Sequence, residues 1–143
     1  MKTKLISQEQ AKTYAVILDD GEEFMEVLEG FAEEQGIRAA HFTAIGGFSR
    51  ATLGYYDMEK KAYKEIPVNE QVEALSLVGD VALKEEEVEV HAHVVAGKAD
   101  GSTVGGHIMG AFVRPMLEVM LTESPGHLQR NIDENSRLAL INL

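Results

Sequence analysis

The chain contains no cysteine. That removes disulfides, thiolate nucleophiles and thiolate metal ligands together, so any zinc ion held here would have to rest on histidine, carboxylate and water. Basic residues are scarce as well: 13 Lys and Arg stand against 24 Asp and Glu, a net charge of −11. Nucleic-acid binders draw most of their non-specific affinity from Lys and Arg set against phosphates in a patch or stripe. Here Lys60, Lys61 and Lys64 share one stretch with Asp57, Glu59 and Glu65, and Arg38, Arg50, Arg114, Arg130 and Arg137 are dispersed. Charge therefore disfavours DNA as a partner, although an oligomer could gather scattered arginines around its axis. No apolar run approaches the 18 or so residues of a membrane span, and Met1-Lys2-Thr3-Lys4-Leu5 has no long apolar stretch behind it. The expectation is a cytoplasmic protein with no membrane partner.

Several common chemistries are missing too. Gly97-Lys98 is not preceded by a glycine at the spacing of a phosphate-binding loop and is followed by Ala99. Neither Gly-x-Gly-x-x-Gly nor Gly-x-Ser-x-Gly occurs. There is no linker, repeat or low-complexity segment, and 143 residues at 45% apolar composition suit one domain, residues 1–143, with a real core.

What the chain does have is a concentration of histidine. Val88-Glu89-Val90-His91-Ala92-His93-Val94-Val95 is followed by Gly105-Gly106-His107, placing three of the five histidines within 17 residues. In an extended strand, residues two apart share a face, so Val88, Val90, Ala92 and Val94 form an apolar side while Glu89, His91 and His93 share the other. If Asp100-Gly101 closes a hairpin, His107 returns beside the first two, and three imidazoles converge. Such a cluster suits zinc, with nitrogen ligands at about 2.0–2.1 Å and a fourth position for water, substrate or carboxylate. Gly105 and Gly106 remove side chains where backbone approaches something closely, which serves a bound cofactor or tight strand packing equally.

Along the rest of the chain, residues 11–18 read as a first strand. Asp20 then caps a helix with Glu23 as its capping-box partner. Phe24, Val27, Leu28, Phe31 and Ala32 make its buried face, and Gly36 ends it. Ala39–Ile45 and Ala51–Asp57 read as strands around a turn or bulge at Gly46-Gly47. Tyr63–Val68 is an edge strand or strand end by its Pro67. Residues 72–83, 87–96 and 111–121 follow, the last interrupted by Pro115, and Leu138–Leu143 is apolar enough for a final buried strand. Glu73 shares strand parity with Leu75 and Leu77, an apolar face where a carboxylate needs a partner. It reads as a group fixing an imidazole tautomer, as a general base on metal-bound water, or as a sheet-margin residue paired with Lys or Arg. His41 and His127 have no companion at ligand spacing and read as ordinary histidines. Ser76 and Ser102, near the histidines in sequence, are weak nucleophile candidates.

Taken together, Leu75-Ser76-Leu77-Val78-Gly79, His91-Ala92-His93, Asp100-Gly101 and Val104-Gly105-Gly106-His107 resemble the Plants and Prokaryotes Conserved (PPC) domain. This domain sits beside AT-hooks in plant nuclear proteins and stands alone in prokaryotes. The likeness extends to Ile45-Gly46-Gly47, Ala51–Asp57 and Glu118-Val119-Met120-Leu121. The resemblance implies an α+β fold, with a largely antiparallel sheet of about seven strands packed with one main helix, assembled as a homotrimer. It also implies a divalent metal, with zinc the expected ion, at His91, His93 and His107. The plant Gly-Arg-Phe-Glu-Ile-Leu partner-binding segment is matched here only by Glu73 and Leu75, and no AT-hook is present. Two functions follow: a metal-stabilised trimeric binding module linked to DNA or transcription, or a small zinc-dependent enzyme in which an open coordination position activates water and Glu73 assists.

Overall fold

Alternation of apolar and polar residues, with a period of two, dominates the chain and gives strands with one buried face. The computed structural model describes residues 2–7, 11–124 and 129–142. Its elements are β1 (Lys2–Ser7), β2 (Thr13–Asp19), α1 (Phe24–Gln35), β3 (Ala40–Asp57), β4 (Ala62–Val68), β5 (Val72–Lys84), β6 (Glu87–Gly97), β7 (Thr103–Glu123), β8 (Gln129–Ile132) and β9 (Ala139–Asn142). Nine strands form one sheet, and every pairing among them is antiparallel except β5 with β8. The sheet closes on itself, because β7 pairs β3, β3 pairs β5, β5 pairs β6, and β6 returns to β7. The expected antiparallel sheet with one helix is thus present, with more strands than about seven. β1 and β8 carry no apolar periodicity that would announce them.

The helix covers one side of the sheet. Phe24, Leu28, Phe31 and Ala32 are buried, as their spacing predicts, while Val27, also expected there, is only partly buried at the edge of the core. Phe24 meets Phe42 and Phe48 edge-on at 6.2 and 6.3 Å, and Phe31 meets Tyr14 at 5.2 Å. Gly36 caps the C-terminus in the left-handed region at φ 68°, also as expected. The N-terminus differs. Glu23, not Asp20, is the cap: its side chain accepts from the Glu26 N–H at 2.8 Å, and its other oxygen accepts from the Ala111 N–H at 2.8 Å. Asp is the better cap by local preference, but the bond to β7 overrides that preference and starts the helix later.

Three further expectations shift. The two expected strands, Ala39–Ile45 and Ala51–Asp57, merge from Ala40 onward into one continuous strand, bulged at Gly46, whose φ of 145° no other residue adopts comfortably. Pro115 lies within a single strand, β7, which runs from Thr103 to Glu123, but the pairing with β3 is interrupted there, with Gly46 facing Leu117 and Phe48 facing Val113. The tail does form a strand, but Leu140 and Ile141 are 46% and 38% exposed, because among the described residues β9 is the outermost strand and pairs only with β8. β4 pairs only with β3, in keeping with Pro67. Among the described residues, no helix is long and apolar enough to cross a membrane.

Two glycines should respond oppositely to alanine. A Cβ on Gly46 would land on the Met116 carbonyl oxygen and force a left-handed residue into strain. Gly30 is exposed in mid-helix with open space around it. Urea denaturation of Gly46→Ala should show a loss of about 3 kcal/mol, whereas Gly30→Ala should gain about 0.5–1 kcal/mol. Equal midpoints for the two variants would refute the bulge's role.

Candidate metal centre

The site is built by a hairpin. Between β6 and β7, Gly101 takes φ 82°, the Lys98 N–H donates to the Ser102 carbonyl at 2.9 Å, and Asp100 Oδ1 accepts from the Ser102 N–H and hydroxyl at 2.9 and 2.6 Å. Ser102 is thereby engaged in the turn. This turn fixes the register: Gly97 faces Thr103, Val95 faces Gly105, and His93 faces His107. His107 occupies the last rung of that ladder and also lies opposite Gly54 of β3. β7 is therefore squeezed between two neighbours. A Cβ on Gly105 would come within 2.9 Å of the Val94 carbonyl oxygen, and one on Gly106 within 2.8 Å of the Gly54 carbonyl oxygen. Close strand packing accounts for both glycines, which carry His107 into place.

Past that rung, β6 continues without β7 opposite it, and the three imidazoles meet there. Ring centroids of His91, His93 and His107 form a nearly equilateral triangle with sides of 5.1, 5.1 and 5.4 Å. One ring nitrogen from each lies within 4.8 Å of the others. Nε2 of His91 and Nε2 of His93 are 3.2 Å apart. Two ligands at tetrahedral angles on zinc are separated by about 3.3 Å, so this spacing already matches coordination. Nδ1 of His107 is buried without a hydrogen-bond partner. Burial, reinforced by the nearby charges of His91 and His93, pushes the His107 imidazole down to about 4. Partial desolvation and the His91 charge also lower His93. His107 is therefore neutral near pH 7, the form that ligates a metal. The residues fit a divalent ion such as zinc. Among the described residues the group includes no carboxylate, and His93 is exposed, so the cluster is open on one side.

The walls of the site were not legible from the motif. Tyr63 of β4 stacks on His107 at 4.9 Å with rings 27° apart, and Tyr56 meets Tyr63 edge-on at 5.0 Å. The Tyr56 hydroxyl donates to the Ser136 carbonyl. Opposite His91 on β5 is Asp80, whose Oδ2 lies 3.7 Å from His91 Nδ1 while its Oδ1 accepts from Arg130 of β8. Burial raises the Asp80 carboxyl, but its contacts with His91 and Arg130 outweigh that and hold it below the usual value. Glu89 stands 3.9 Å from the Arg130 Nε and 3.1 Å from Lys84. Glu89 was placed on the histidine face by parity alone. Finding Asp80 requires the β5–β6 register, and finding Arg130 requires the fold.

Glu73 is placed elsewhere. It lies opposite Gly97, about 15 Å along β5 from Val78, the residue that faces His93. The β5 ladder shifts between Ala74 and Ser76, so Leu75 stays on the exposed face with Glu73 while Leu77 turns into the core. Glu73 is exposed and lines a separate cavity of about 630 Å³ with Leu75, Lys98 and Gly101. The structure does not bring it to the imidazoles. His41 faces Asp80 from the far side of β5 and lies outside the triad. His127 lies outside the described residues.

The depressed histidine has a consequence for the metal-free protein. With His107 at about 4 when folded and near 6.5 when unfolded, the unfolded chain binds more protons between those values. Stability therefore rises with pH across that window and falls as pH drops through it. Urea midpoints measured in chelator should decline from pH 7 to pH 4.5, and the decline should be shallower in His107→Gln. Parallel slopes for the two proteins would contradict the burial of this ring.

The sequence profile of the Plants and Prokaryotes Conserved (PCC) domain, also abbreviated PPC, matches residues 6–125. A metal-containing protein from Archaeoglobus fulgidus is 39% identical with a TM-score of 0.88, over 98% of this chain and 99% of that one. A PPC protein from Pyrococcus horikoshii is 33% identical with a TM-score of 0.87, over 99% and 95% of the two chains. A proposed DNA-binding protein from Ralstonia eutropha JMP134 is 30% identical with a TM-score of 0.85, over 91% and 90%. The chain spans 17% of the length of the curated relatives it matches, bifunctional GlmU proteins of Synechococcus, one of them 30% identical over 115 residues. A profile spanning most of the sequence, and the same architecture in close relatives, agree with the His-x-His hairpin: this chain belongs to the Plants and Prokaryotes Conserved domain family.

Proposed function

We propose that this chain is a metal-binding PPC-domain protein that holds a divalent ion, zinc in the first instance, on His91, His93 and His107 within a homotrimer. The observation that carries this reading is the convergence of three imidazoles, with His107 held neutral by burial and the His91 and His93 Nε2 atoms already at coordination spacing. The metal-containing A. fulgidus relative supports it.

The trimer is supported by the sheet's outer face. Ile45, Leu75, Val78, Val95, Met116 and Met120 are between 42% and 59% exposed. One rung runs Met120, Thr43, Val78, His93 across four strands, so this apolar face ends at the metal centre. A surface of this kind calls for a protein partner, and a second copy is the simplest one. The R. eutropha relative brings DNA forward as a ligand. A net charge of −11 per chain opposes phosphate, so DNA contact would rest on a local basic patch or an added cation.

The enzyme reading keeps one specific observation in its favour. Three histidines with no carboxylate among the described residues leave a coordination position for water, the arrangement of catalytic zinc. In that reading the proton acceptor is a group other than Glu73, which faces away at the hairpin's far end.

Metal analysis of untagged protein should find one ion per chain. His91→Ala, His93→Ala and His107→Ala should each drop to below about a tenth of that content, while His41→Ala and His127→Ala should match the parent. Equal retention in all five would eliminate the site. Light scattering at micromolar concentration should give about three times the 15.7 kDa chain mass, and a value near 15.7 kDa would refute the trimer.

A further inference from the structure

An imidazole presents one lone pair to a metal only if its other nitrogen carries the proton, so something must choose the tautomer. For His91 that choice is visible in the neighbouring strand. Its Nε2 faces His93 Nε2, inside the triad, while its Nδ1 faces Asp80 Oδ2 at 3.7 Å. An ionised carboxylate has lone pairs and no proton to give, so it favours a proton on Nδ1 and frees Nε2. Asp80 is itself fixed. Its other oxygen accepts from Arg130 Nη2, and Nη1 of the same guanidinium donates to the Ala139 carbonyl at 3.2 Å. The Arg130 side chain is only 5% exposed, so this clamp is a buried, spatially defined group rather than a surface ion pair. Each carboxylate oxygen thus has one partner, and the two roles cannot interchange.

We propose that Asp80, clamped by Arg130, is a positioning residue that keeps the His91 proton on Nδ1 and turns the Nε2 lone pair into the triad. The proposal rests on the metal reading for its effect on affinity, but not for its effect on the tautomer.

The test uses the whole chain and two substitutions whose order separates this role from a merely structural one. In Asp80→Asn the amide oxygen must face the donating Arg130, which leaves the NH₂ facing His91 Nδ1. That nitrogen becomes an acceptor, and the proton moves to Nε2, the wrong side. Asp80→Ala removes the acceptor without adding a donor, so both tautomers are populated. Long-range ¹⁵N–¹H correlation spectra of the metal-free protein should show His91 protonated on Nδ1 in the parent, on Nε2 in Asp80→Asn and as a mixture in Asp80→Ala. Zinc affinity, measured by chelator competition, should fall roughly 10–100-fold in Asp80→Asn and less in Asp80→Ala. A structural role gives the opposite order, since asparagine is the closer match in shape. Parent His91 protonated on Nε2, or unchanged spectra in Asp80→Asn, would overturn the proposal. Zinc loss greater in Asp80→Ala than in Asp80→Asn would overturn it too. Should the parent protein bind no zinc, the metal reading fails, and the metal-free spectra still decide the tautomer.

Discussion

One rung of hydrogen-bonded strand, His93 opposite His107, holds the arrangement together. It is where β6 and β7 last pair and where β7 is already bonded to β3, so it closes the ring of strands and sets the triad at once. Register in a sheet is all-or-none, because a slip of one residue turns every side chain to the opposite face. A slip here would bury His93 in place of Val94, or His107 in place of Ile108. The Asp100-Gly101 turn and the two glycines before His107 are the local means of preventing it. The apolar face of β6, buried from Val88 to Ala96, is the energetic one.

The centre of the site was therefore readable from residues 88–107 alone. Alternation gave the faces, the turn residues gave the hairpin, and the distance between motif halves gave the pairing. The helix was readable for the same reason: its apolar spacing and Gly36 are local signals. Expectations failed where a distant strand decided the outcome. Glu23 outcompeted Asp20 as a cap because Ala111 donates to it from β7. Leu77 parted from Glu73 and Leu75 at a bulge in β5's pairing. Leu140 and Ile141 looked like core residues by composition, yet composition says nothing of which strand ends up outermost. Asp80 and Arg130 carried no signal, being an ordinary acid and an ordinary base until the sheet set them side by side.

The acidity of the chain and the apolar outer face act together. Strong net charge keeps copies apart in general, while a defined patch of methionine, leucine, valine and isoleucine gives one direction in which close approach is favourable. An assembly formed through that patch would be selective rather than indiscriminate. Because the patch ends at His93, whatever covers it also controls access to the exposed side of the imidazole cluster.

The Arg130 clamp has a bearing on how the protein is made. All three histidines and Asp80 precede Arg130 in the chain, and Ser136, which receives the Tyr56 hydroxyl beside Tyr63, comes later still. Domains acquire structure from the N-terminus onward as they are synthesised. A nascent chain thus passes through a stage in which the imidazoles have been synthesised but neither wall of their site has been secured. Fidelity at the centre is completed by the last two strands.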